Sequence, residues 1–214
     1  MLVASYLPTA TAIFFGTVEQ LTDAIIAGGF PKFRASQVYD WLWSKSLHSF
    51  GDMTNISKQT REMLEKHFVI NHIKVDSMQK SADGTIKNGI KLHDGLVVES
   101  VLIPTKKRTT ACISSQVGCS LDCKFCATAR LKRMRNLNPD EIYDQVVVID
   151  QQSQLYHQKK LTNIVFMGMG EPLMNYNNVI KAIEKITSPE GLGMSSKRIT
   201  VSTSGVPKMI KKMA

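Results

Sequence analysis

The chain has 214 residues, 43% of them hydrophobic. That is the make-up of one medium folded domain, or of a small domain with part of a larger one, and not of a disordered or low-complexity segment. Its formal charge of +9 is uneven: residues 81–135 hold 10 basic and 4 acidic side chains, whereas residues 1–80 hold 8 and 7. A basic excess gathered in one stretch favours an anionic partner, nucleic acid first among the large ones, over a merely solvated face.

The apolar stretch at residues 1–16 has no Lys or Arg before Lys32, which excludes the charged head of a signal peptide. It is also too short and broken to span a bilayer, so a cytoplasmic protein is expected. A packed arm, a tail, or a start codon set too far upstream each fits residues 1–13. Residues 1–72 predict a small helical accessory domain. Thr17-x-x-Gln20 is a capping box ahead of Leu21, Ala24, Ile25 and Ile26, and Gly28-Gly29 ends that helix. A second helix follows Pro31, with Val38, Trp41 and Leu42 inward, and Ser57 caps a third built on Met63, Leu64 and Phe68. Trp41 and Trp43 could stack on bases, but at this spacing Trp41 is assigned to the core.

From Ile73 the period shortens to two. Runs near 73–80, 86–93 and 96–103, separated by Asp83-Gly84 and Asp94-Gly95, predict an antiparallel meander within a linking segment, residues 73–108. Residues 109–214 then predict a strand over 110–115, a helix opened by Asn138-Pro139-Asp140-Glu141, a strand over 163–167 and a helix over 175–187. A strand over 198–202 and a helix from Pro207 complete the order. The βαβαβα order implies parallel strands with crossover helices, hence an α/β fold. Three such units cover a sheet without closing it, and the chain is expected to be an N-terminal fragment.

All four cysteines lie between 112 and 126, which points to metal binding or catalysis in a reducing compartment. Cys119-x3-Cys123-x2-Cys126 supplies three thiolates to a 4Fe–4S cube that wants four. The open iron can chelate the amino and carboxylate groups of S-adenosylmethionine (SAM), whose reductive cleavage yields a radical. The alternative is a structural zinc with Cys112 as fourth ligand, although no second paired unit is present. Gly168-Met-Gly170-Glu171-Pro172 lets backbone approach a ligand and offers a carboxylate to an ammonium group; by itself it is also an ordinary strand-to-helix turn. Ser202-Thr-Ser-Gly205 can reach the same end of the sheet or merely cap the next helix.

The segment from Cys112 through Val117, Cys119, Cys123, Phe125 and Cys126 to Thr128 resembles the signature of the RlmN family. So do Val98-Glu99-Ser-Val-Leu-Ile-Pro104, Gly168–Leu173 and Thr200–Gly205. The resemblance runs from about residue 14 to the end. It implies a partial radical SAM (β/α) barrel holding the first three β/α units, behind an RNA-contacting helical domain. It implies a dual-specificity methyltransferase acting on carbon 2 of an adenine in 23S rRNA and tRNA, with a 4Fe–4S cluster, SAM, and an electron donor such as flavodoxin or ferredoxin; no membrane is implied. Cys119, Cys123 and Cys126 would hold the cluster, and Gly170, Glu171 and Ser202 would contact SAM. Glu99 would be the acid/base group near the adenine and Cys112 a catalytic thiol; without the resemblance they read as a solvent-facing strand residue and a small core residue. The family's methyl-carrying cysteine would lie near its C-terminus, and none follows Cys126 here, so no turnover is expected from this chain alone. Many members have a glycine after the Cys-Ala-Thr stretch; here Ala129-Arg130 leads into Lys132, Arg133 and Arg135, four cations expected to meet phosphates. Two rivals remain: a Cfr-type enzyme methylating carbon 8, against which Val117 speaks, and a non-catalytic metal-stabilised RNA-binding protein.

Overall fold

The computed structural model describes residues 11–12, 18–47 and 49–213. The chain divides into a unit ending at Asn71 and a unit beginning at His72.

The first unit carries β1 (Thr11–Ala12), α1 (Val18–Ala27), α2 (Phe33–Trp43), α3 (Lys58–His67) and β2 (Phe68–Val69), with β1 and β2 pairing in parallel. Leu21, Ile25, Val38, Leu42, Met53 and Leu64 form its buried centre. Gly29 ends α1 at φ +79°, a conformation that glycine adopts at no steric cost. The Ser57 side chain accepts from the Thr60 N–H and caps α3. The Thr17 capping box lies outside the described residues. One expectation is corrected: Trp43 is buried, while Trp41 is half-buried. Trp41 donates to Asn55 Oδ1 at 2.5 Å and carries the Lys45 ammonium 3.5 Å above its ring. An indole N–H needs a partner, and Asn55 supplies one at the unit's margin.

The second unit is built on one six-stranded sheet. Its strands are β3 (Lys74–Lys80), β4 (Ile86–Lys91), β5 (Val97–Pro104), β6 (Thr109–Cys112), β9 (Asn163–Phe166) and β10 (Ile199–Val201), in the order β10-β9-β6-β5-β4-β3. β3 to β6 run antiparallel to their neighbours, whereas β6, β9 and β10 are parallel. The meander strands therefore continue the same sheet as the parallel strands. Gly84 and Gly95 turn the meander at φ +85° and +83°, and Asp83 and Asp94 accept from the N–H two residues on.

The crossover helices α4 (Pro139–His157) and α5 (Tyr176–Thr187) supply the expected β/α units, and α6 (Pro207–Met213) follows β10. Alternation divides the sheet's residues between two faces. One face is buried, with Ile86, Ile90, Val98, Leu102, Ala111, Ile164 and Phe166 in the core shared with Ile142, Val146 and Ile149 of α4. Within that core the Asn88 and Gln152 amides satisfy each other through reciprocal bonds of 2.9 and 2.8 Å. The other face carries Lys87, Glu99 and Cys112, none of them buried. The α/β class and the three β/α units are as expected.

Candidate active site at the end of the parallel strands

The chain leaves β6 at Cys112 and forms a two-strand ribbon, β7 (Gln116–Val117) with β8 (Arg135–Asn136), whose intervening loop holds the three clustered cysteines. The neck of this loop is tight. Gly118 adopts φ +72°, and a Cβ there would lie 2.2 Å from the Lys132 carbonyl oxygen. Cys119 N–H donates to Leu131 O (3.3 Å) and Met134 N–H to Val117 O (2.8 Å). Arg135 anchors the returning strand: its guanidinium forks onto Glu141 at 2.7 and 2.8 Å, and its Nε reaches Asp94 at 2.6 Å. Glu141 is 2% exposed, and its hydrogen bond to Arg135 raises the guanidinium's basicity further. Arg135 is thus committed inside the protein, and the expectation of four phosphate-facing cations drops to three.

Cys119, Cys123 and Cys126 are free thiols, each partly exposed. Among the described residues no three His, Cys, Asp or Glu side chains are gathered as a ready-made metal site. The donor set nevertheless suits an iron–sulfur cluster: three soft sulfurs on one loop free of regular strand or α-helix. At Cys126 slight burial opposes ionisation, but the N–H groups of Ala129 and Thr128 and the Thr128 hydroxyl outweigh it and hold the thiol below its usual range.

Beside the neck runs the loop after β9. Gly168 donates to Ile113 O, Met169 N–H donates to Ser114 Oγ (2.8 Å), and Met169 O accepts from Ser115 and Gln116. Gly170 adopts φ +93°, and a Cβ there would meet Gln116 at 2.5 Å. The Gln116 side chain joins the Glu171 loop to the ribbon that carries the cysteine loop, accepting from Glu171 N–H at 2.9 Å and donating to Asn136 Oδ1 of β8 at 2.8 Å. Glu171 is 3% exposed, and its carboxylate accepts from the Leu173 N–H and from the N–H and hydroxyl of Ser204. Burial alone would push this acid up; the donors of Ser204, Leu173 and Thr203 prevail and hold it below the usual carboxylate range. It remains an anion able to attract an ammonium group. Ser202, half-buried, lies with Ser204 in the loop after β10, but Ser204 is the serine that grips Glu171.

Glu99 and Cys112 share the open face. Val101 pairs with Cys112, which makes Glu99 the diagonal neighbour of Cys112, about 7–8 Å away in such sheets. Glu99 is half exposed and pairs with Lys87 at 2.5 Å. Burial pushes the Cys112 thiol up more than the Met167 N–H lowers it.

Sequence reasoning missed Ser114, Gln116, Asn175 and Ser204. Ser204 was within reach, because it lies in the same Ser-Thr-Ser-Gly motif as Ser202. A single buried Gln or Asn leaves no periodic trace.

Comparison with known proteins agrees with this architecture. Residues 15–70 match the ribosomal RNA large subunit methyltransferase N-terminal domain, and residues 113–214 match the radical SAM superfamily. The chain is 76% identical over 198 residues to the probable dual-specificity RNA methyltransferase RlmN of Christiangramia forsetii, covering 92% of this chain and 56% of that protein. It is 46% identical over 194 residues to the RlmN of Geotalea uraniireducens, covering 90% and 55%. Among solved structures, a radical SAM methyltransferase from Sphaerobacter thermophilus superposes with a TM-score of 0.83 at 34% identity, over 95% of this chain and 60% of that one. The chain thus spans a little over half the length of the curated relatives it matches.

Proposed function

We propose that this chain, which belongs to the RlmN family of the radical SAM superfamily, serves the methylation of carbon 2 of an adenine in 23S rRNA and tRNA. The supporting observation is that, at the end of the parallel strands, one side chain, Gln116, ties the Glu171 loop to the β7–β8 ribbon from which the cysteine loop projects. Cys119, Cys123 and Cys126 hold a 4Fe–4S cluster in this reading. Gly170, Glu171 and Ser202 receive SAM, with Glu171 facing its ammonium group and Ser204 fixing the carboxylate's direction. When bound, the cluster and SAM supply radical chemistry that can alkylate an electron-poor base carbon.

The adenine would lie over the open face. Glu99, steered by Lys87, stands there to move a proton, and the Cys112 thiol stays protonated until it is engaged. The helical unit contacts the RNA, electrons come from a flavodoxin- or ferredoxin-type donor, and the protein works in the cytoplasm. Among the described residues no helix is long and apolar enough to cross a membrane.

Anaerobic incubation with iron and sulfide tests the reading. The chain should gain a brown chromophore, show a reduced-cluster electron paramagnetic signal and cleave SAM on reduction. Cys119→Ser, Cys123→Ser and Cys126→Ser should each abolish all three, whereas Cys112→Ser should keep the chromophore. A colourless chain that binds zinc stoichiometrically would sink the proposal. Mass spectrometry of RNA modified by the full-length gene product separates carbon 2 from carbon 8.

A further inference from the structure

The segment from Arg130 to Met134 is not used by the chemistry above, yet it is built into the cysteine loop. Its backbone is clamped at both ends: Leu131 O accepts from Cys119 N–H, and Met134 N–H donates to Val117 O. Gly118 admits the Lys132 carbonyl at a distance that any side chain would forbid. The strap is therefore pinned against the first cysteine while its side chains point outward. Arg130, Lys132 and Arg133 are all exposed, Arg133 also donating one long bond of 3.3 Å to Asn136 Oδ1. The nearby acids are already engaged: Asp122 by Lys124, and Asp94 and Glu141 by Arg135. Between the cations, Leu131 and Met134 stand 51% and 61% exposed.

A second basic triplet, Lys106-Lys107-Arg108, offers the contrast. It is equally exposed, but it precedes β6, at the opposite end from the cysteine loop, and its flanking residues are Thr105 and Thr109. Cations alone are what a solvated turn carries. Cations alternating with exposed apolar side chains, at the ligand-bearing end of parallel strands, suit a partner that has both charge and flat apolar faces.

We propose that Arg130, Lys132 and Arg133 form a phosphate-binding strap for the RNA strand that carries the target base, with Leu131 and Met134 against its nucleosides. This rests on the functional reading above and adds the surface that seats the substrate. A linear run of cations on one chain segment tracks a backbone, whereas a lipid surface would call for a plane. Because the strap is hydrogen-bonded to Cys119, RNA seating bears directly on the loop that holds the cluster.

The test is fluorescence anisotropy of a labelled RNA stem–loop with an unpaired adenine, titrated with the chain across a range of potassium chloride concentrations. Replacing Arg130, Lys132 and Arg133 together by Gln should weaken binding at low salt at least about tenfold and flatten the log–log salt slope by about 2. The charge-preserving set Arg130→Lys, Lys132→Arg, Arg133→Lys should keep the slope. Replacing Lys106, Lys107 and Arg108 by Gln removes the same charge and should leave the slope unchanged. An unmoved slope in the strap variant, or an equal loss in both Gln variants, overturns the strap. So does wild-type binding to phosphatidylcholine–phosphatidylglycerol vesicles in preference to RNA. Cluster formation by the wild type with an unmoved strap slope would sink the strap and leave the functional reading standing; no salt-dependent RNA binding by the wild type would sink both.

Discussion

The two loops on either side of Gln116 are held in opposite ways. Residues 168–175 are tied down along their length: Gly168, Met169 and Glu171 donate to Ile113, Ser114 and Gln116, and Asn175 donates to the carbonyls of Ser115 and Leu137. Met169, Glu171, Leu173 and Asn175 are all buried. Residues 118–134 are tied at the neck; beyond it the bonds are mostly local, as in Cys126 N–H to Cys123 O and Ala129 N–H to Cys126 O, and Phe125 is 94% exposed. Local opening costs little where few buried contacts hold a segment. The Glu171 loop is part of the scaffold, preorganised for the ligand proposed for it. The cysteine loop is a carrier whose position is set by a few neck contacts, and its thiols sit where they can be drawn onto a common centre.

The strongest way to break this contrast is Gly170→Ala. The new methyl group would meet the Gln116 backbone nitrogen at 2.8 Å and its Cβ at 2.5 Å, at a φ of +93°. Positive φ and overpacking in a rigid place should together cost about 4 kcal/mol. Urea denaturation followed by far-ultraviolet circular dichroism measures it. Tryptophan fluorescence would not, since Trp41 and Trp43 both lie in the helical unit. A loss under about 1 kcal/mol would mean that the loop yields and is no scaffold.

The sequence made the second unit's elements legible where local chemistry dictates them. Asn138-Pro139-Asp140-Glu141 starts α4 as read, with Glu141 reaching back to the Asn138 N–H at 2.9 Å. Both Asp-Gly turns form where the pattern breaks. Tertiary partners were not legible. Arg135 read as one cation in a basic run, because nothing local says that Glu141 will be buried beside it. Trp41 and Trp43 lie two positions apart, about 200° around one helix, so they face opposite ways, and the apolar run 41–43 does not mark which face is inward. The β7–β8 ribbon is too short to leave an alternation, and its neck depends on Gly118 meeting Lys132 across the loop.

A second, smaller effect sharpens what the neck rests on. Arg135 docks on the N-terminal end of α4, where Asp140 and Glu141 of the first turn and Asp144 of the second are all buried. Asp140 Oδ1 has no hydrogen-bond partner, and burial together with the adjacent Glu141 charge pushes its carboxyl up to about 7. The folded state therefore holds a proton that the unfolded chain releases near pH 4. Stability falls as pH rises from there, and the loss is complete above about 7. Asp140→Asn keeps the shape and removes the charge. It should stabilise the chain by about 2 kcal/mol at pH 8, with the gain vanishing towards pH 4. Denaturation at the two pH values checks it; equal effects at both would mean that this carboxylate is ionised without penalty, and that Arg135 serves it as well as Glu141.

Gly118→Ala should have the smallest global effect and the most local one. Its Cβ would lie 2.2 Å from Lys132 O and 3.0 Å from Arg133 Cα, contacts that cannot both persist. The strap is exposed and can move away, so the denaturation free energy should fall by only about 1 kcal/mol, the cost of a side chain in the left-handed backbone at φ +72°. The neck bonds of Cys119 to Leu131 and of Met134 to Val117 would be lost with that movement. Iron uptake on reconstitution should then fall several-fold although all three thiols remain. If Gly118→Ala instead unfolds the unit as readily as Gly170→Ala, the cysteine loop is scaffold too. If it leaves iron uptake intact, the thiols find their common centre without the neck.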